Sequence, residues 1–89
     1  MDYIGTATIS WINPDTKEHS QVCQLIVDSG TKKFAIDTLK HFVKNLPFGV
    51  TQHHEINLEV CESSLEDCDI VWQRYIEVSK NGKLIWIKN

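Results

Sequence analysis

The chain has 89 residues, of which 42% are hydrophobic and 24% charged, with a formal net charge of −3. That length suits one domain rather than two, so residues 1–89 are read as a single compact domain of ordinary globular composition. The negative balance argues against a general affinity for phosphate backbones, and no apolar run approaches the roughly 18 residues that cross a bilayer as a helix.

The first six residues carry no basic segment followed by an apolar one, so no secretory signal is expected. Tyr3 to Ile12 alternates as a strand. Tyr3, Gly5, Ala7, Ile9 and Trp11 share one face, and Ile4, Thr6, Thr8, Ser10 and Ile12 the other. Asn13-Pro14-Asp15-Thr16-Lys17 then reads as a turn, in which Pro14 pre-sets φ and Asp15 is expected to bond its own backbone. Ser20 to Asp28 returns as the second strand of an antiparallel hairpin. Ser29-Gly30-Thr31 supplies helix N-caps. Ala35, Ile36, Leu39, Phe42, Val43 and Leu46 follow as one apolar stripe, which predicts an amphipathic helix over 32–46, stopped by Pro47 and Gly49.

His54 to Val60 alternates as a half-buried strand, and Glu62 to Asp69 reads as an acidic loop. Ile70 to Val78 and Leu84 to Lys88 flank Asn81-Gly82, the strongest short-range hairpin signal. With those two residues as the loop, Val78 opposes Ile85 and Ile76 opposes Ile87. These four then share one face, and Leu84, Trp86, Tyr75 and Val71 fall on the other. The order β-β-α-β-β-β predicts an α+β fold, with one amphipathic helix packed on an antiparallel or mixed five-stranded sheet. The β-grasp class of folds has a similar element order, a likeness that implies no function. Leu39, Phe42, Leu46, Ile56, Leu58 and Ile76 are the expected core.

The three cysteines, Cys23, Cys61 and Cys68, are an odd number. That suits a reducing compartment, and a cytoplasmic location is expected. Cys61 and Cys68 with His53 and His54 are metal-ligating types, but their spacing matches no zinc module, and adjacent histidines in a strand point to opposite faces. No metal and no cofactor are expected. Carboxylates near Cys61 and Cys68 should raise a thiol's pKa and blunt it as a nucleophile. No catalytic or phosphate-binding motif is present, so enzyme activity is not expected. The enzymatic alternative is a small enzyme, or a subunit completed by oligomerisation, using the carboxylates of Glu55 and Glu59. A nucleic-acid-binding accessory domain would rest on Lys32, Lys33, Lys40 and Lys44 of the helix and on Lys80 and Lys83 at the hairpin tip. The acidic balance makes nucleic acid an unexpected partner.

Between Lys44 and Arg74 there is no lysine or arginine, and that stretch carries Glu55, Glu59, Glu62, Glu66, Asp67 and Asp69. Such a block suits a partner with a basic surface. A single helix covers one sheet face, which leaves the cluster of Leu84, Trp86, Tyr75 and Val71 in need of a cover. Strand one curling over with Trp11, a homodimer seam, or a docked protein would each supply it. The sequence thus predicts a non-enzymatic protein-interaction module, of the small inhibitor, anti-defence or immunity type found in phages and mobile elements. Its partner-contacting residues are Leu84, Trp86, Tyr75, Val71, Glu55, Glu59, Glu66, Asp67 and Asp69.

Overall fold

The computed structural model describes residues 2–63 and 68–87. It contains β1 (Asp2–Ile12), β2 (His19–Ser29), α1 (Lys32–Lys44), β3 (His54–Ser63), β4 (Cys68–Val78) and β5 (Leu84–Ile87). The strands form one five-stranded sheet of order β2-β1-β3-β4-β5, with α1 packed on one face, an α+β fold. Every neighbouring pair is antiparallel. Of the antiparallel and mixed alternatives, the sheet is therefore the antiparallel one.

The β1–β2 turn is held by Asn13 rather than Asp15. The Asn13 side-chain oxygen accepts from the N–H groups of Asp15 at 2.9 Å and Thr16 at 3.3 Å, the local bond through which Asn favours turns. Across the sheet, Ser29 and Thr31 start the helix. The Thr31 hydroxyl accepts from the Phe34 N–H at 3.2 Å, the usual N-cap bond. The helix ends at Lys44, two residues earlier than the stripe suggests. Asn45 caps it, its N–H reaching the carbonyls of His41 and Phe42 and its side-chain amide donating to His41 at 2.9 Å. Pro47 further disfavours a helical Leu46.

With the helix shortened, its buried positions are Ala35, Leu39 and Val43, while Phe42 and Leu46 are only half-buried. These three pack on Ala7 and Ile9 of β1, on Ile56, Leu58 and Val60 of β3, and on Ile76 of β4. Gly5 marks a close approach of helix to sheet. A Cβ there would lie 3.3 Å from Leu39 Cδ1 and 3.6 Å from Ala35 Cβ. The helix packs chiefly over β1, β2 and β3, which leaves the same face of β4 and β5 open along its flank.

Two registers differ from expectation, and both move functional candidates. At the last hairpin, the Ser79 N–H donates to Lys83 O and the Gly82 N–H to Ser79 O, both at 2.9 Å, with Gly82 at φ 81°. The loop is therefore Lys80-Asn81-Gly82, a turn followed by a left-handed glycine. Val78 pairs with Leu84, Glu77 with Ile85, Ile76 with Trp86, and Tyr75 with Ile87. A slip of one residue reverses every side chain of β5. Leu84 and Trp86 consequently share the helix face with Ile76, while Ile85 and Ile87 join Tyr75 on the opposite face. The expected cluster of Leu84, Trp86, Tyr75 and Val71 is split between the two faces.

The second difference is a bulge in β3–β4, where Val60 pairs with Trp72 and Cys61 with Ile70, leaving Val71 as the extra residue. The strands here are longer than expected. Glu62 and Ser63 belong to β3, and Cys68 and Asp69 to β4, so both ends of the expected acidic loop are paired. Glu66 and Asp67 lie outside the described residues. Among the described residues, no helix is long and apolar enough to cross a membrane.

Candidate functional site

Among the described residues, no element packs on the sheet face away from α1, and strand alternation sets the chemistry of that face. Asp2, Asp28, Glu55, Glu59 and Glu77 project from it, interleaved with Ile4, Ile12, Ile26, Ile70, Ile85 and Ile87. Ile26 is 64% exposed and Ile70 54%, as befits an uncovered surface. No lysine or arginine of the described strands points this way, because Arg74 pairs with Leu58 on the helix face.

Glu55 organises one end of this face. Its Oε2 accepts the Tyr75 hydroxyl, and its Oε1 lies 3.1 Å from His19 Nδ1. Burial pushes the Tyr75 phenol up to about 12, helped by its bond to Glu55 and then by the charge of Glu77. Tyr75 therefore stays protonated and donates. Glu77 stands directly opposite Glu55 across β3–β4, a like-charge pair of the kind that destabilises a sheet. A cavity of about 280 Å³ opens beside them, lined by Ile12, Gln52, His54, Glu55, Tyr75, Glu77 and Val78. The His54 ring is already engaged, its Nδ1 accepting the Thr51 N–H at 3.0 Å.

At the other end of the face, the Cys61 thiol donates to Glu59 Oε1 at 3.4 Å. Burial pushes this thiol up to about 12, with further contributions from the Cys68 thiol and from Glu59. The expectation that carboxylates raise it holds, although burial is the larger cause. A thiol so far above neutrality supplies little thiolate. Among the described residues, no three His, Cys, Asp or Glu side chains gather to hold a metal ion.

The helix side gathers cations around Trp72. Arg74 lies with its Cζ 5.0 Å from the centre of the Trp72 ring, and Lys40 Nζ lies 6.0 Å from the same ring, both within cation–π range. Lys40, Lys44, Arg74 and Trp86 line a depression of about 280 Å³ between α1 and β4–β5.

Of the sequence-predicted contact residues, Glu55, Glu59 and Tyr75 share the open face. Leu84 and Trp86 lie on the helix face, as does Asp69, paired with Glu62. Val71 sits at the bulge. Trp11 lies on β1, separated from β5 by β3 and β4, and does not fold over the cluster. Asp28, Glu77 and Trp72 are not among the contact residues chosen from the sequence, although alternation already sets Glu77 on the face of Tyr75 and also sets Trp72 with Arg74. Comparison with protein-family models, curated proteins and solved structures finds no match to this chain.

Proposed function

We infer that the chain is a non-enzymatic protein-interaction module that presents its open sheet face to a basic surface of another protein. The observation that carries this reading is the pairing of Glu55 with Glu77, extended by Glu59, on a face to which the described strands contribute no lysine or arginine. Acids set opposite one another cost the free domain stability, and a cationic partner would relieve that cost. The exposed isoleucines between them supply apolar area that an interface would bury. The engaged Glu55 carboxylate and the high Cys61 pKa support binding over catalysis. An inhibitor of the anti-defence or immunity type needs nothing beyond one such face, and a cytoplasmic setting agrees with the three free thiols.

The test uses a lysine-rich peptide as probe. Its association rate with the chain should fall as salt rises, because exposed charges are screened over about 8–10 Å at ordinary ionic strength. The double change Glu59→Lys and Glu77→Lys should slow association about tenfold, within the usual range of electrostatic steering, and affect dissociation less. Asp37→Lys, on the helix side, should leave the rate near that of the parent. A salt-independent rate, or an equal effect from Asp37→Lys, would contradict the open-face reading.

A further inference from the structure

The geometry points to single-stranded nucleic acid as the occupant of the cleft between α1 and β4–β5, on the side of the sheet away from the acidic face. Trp86 is 40% exposed and lines this cleft with Lys40, Lys44 and Arg74. Among the described residues, none of these three cations is bridged to a carboxylate, whereas Lys33, on the same helix, bonds Asp37 at 2.7 Å. Arg74 is held in place by Trp72 and by its bond to the Gln73 carbonyl at 2.6 Å, and Lys40 approaches the same ring from the helix. Trp72 is thus occupied by cations, and Trp86 is the ring left for a flat ligand.

The combination selects among anions. An acidic peptide would satisfy the lysines but has no use for an exposed indole. A duplex keeps its bases stacked within the helix. A single strand brings a phosphate and an unstacked base together at each step, the pairing that aromatic platforms edged by lysine and arginine recognise. The net charge of −3 is no bar to this. The carboxylates of Asp28, Glu55, Glu59 and Glu77 lie on the opposite face, while on the helix side Asp37 is bonded to Lys33, with Lys40 also near it, and Glu62 and Asp69 pair beyond Trp72 towards the far end of β3–β4.

The experiment titrates the intact chain with oligothymidylate and, separately, with poly-glutamate of equal charge, following tryptophan fluorescence. Oligothymidylate should bind at low salt and quench the emission. If three phosphates are neutralised, the slope of log affinity on log salt should be about −2, from roughly −0.7 per phosphate on single strands. Trp86→Leu should weaken binding about 5- to 150-fold, the equivalent of about 1–3 kcal/mol per stacked base, without changing the slope. Lys40→Gln, at an exposed helix position that does not endanger folding, should reduce the slope by about 0.7. Poly-glutamate should bind more weakly and be indifferent to Trp86→Leu. No binding at low salt, an unchanged affinity in Trp86→Leu, or poly-glutamate binding as tightly as oligothymidylate would each overturn the proposal. The lysine-rich peptide addresses the other face of the sheet, so either reading can fail without the other.

Discussion

Truncating Leu39 to alanine is expected to destabilise the fold by about 2–5 kcal/mol. The side chain is 0% exposed and packs against Gly5. Gly5 is the reason the cost should be high. It lets the helix settle close to β1, so that Leu39 lies against backbone within the buried cluster that also holds Ala7, Ile9, Leu58 and Val60. Backbone of a central strand cannot collapse into the space left behind, and an uncollapsed cavity adds its own cost to the lost burial. A chain of this size has a total stability of about 4–13 kcal/mol from typical per-residue values, so the variant should lose a large share of it. Chemical denaturation would show this as a lower midpoint with little change in slope. An unchanged midpoint would mean that α1 does not pack on the sheet.

The second large effect comes from the last hairpin. Ile76→Ala should also cost about 2–5 kcal/mol, while Ile85→Ala should cost well under 1 kcal/mol by comparison, being a surface change. Ile76 is 0% exposed on the helix face, and Ile85 is 43% exposed on the open face. The pair discriminates between registers. A two-residue Asn81-Gly82 loop would set Ile85 on the same face as Ile76, and both truncations would then be costly. Denaturation midpoints of the two variants measure the difference. Equal losses would contradict the three-residue loop and return Trp86 to the open face.

Much of the architecture was legible in the sequence, because it rests on periodicity. Alternation in β1 and in His54 to Val60 of β3 gave the correct faces, and the spacing of Ala35, Leu39 and Val43 gave the helix. What was not legible rests on single residues whose effect is non-local. The Asn-Gly pair signals a hairpin, but the choice between two and three loop residues depends on whether Gly82 alone takes positive φ, and that choice reverses four following side chains. The bulge at Val71 likewise reverses Cys68 to Ile70, and alternation cannot locate it beforehand. The candidate site suffered most. The acidic run with Glu55 and Glu59 and the cluster of Tyr75 with Trp86 and Leu84 read as two separate surfaces. The register instead sets Tyr75 on the face of Glu55 and Glu59 and turns Trp86 and Leu84 to the helix face, beside a cleft with Lys40, Lys44 and Arg74 that alternation does not show. Net charge concealed it, since an overall −3 does not show that the described strands keep their one basic residue, Arg74, off the face that carries Glu55, Glu59 and Glu77.

That sorting is tested most directly by nuclear magnetic resonance on the intact, isotope-labelled chain, titrated in separate samples with the lysine-rich peptide and with oligothymidylate, since the two probes would bind each other in one sample. The peptide should shift backbone amides of Asn57, Glu59 and Glu77 on the open face. Oligothymidylate should shift Lys40, Lys44 and Arg74 together with the Trp86 indole N–H. Perturbation of one common set of residues by both probes would contradict a sheet with two distinct binding faces.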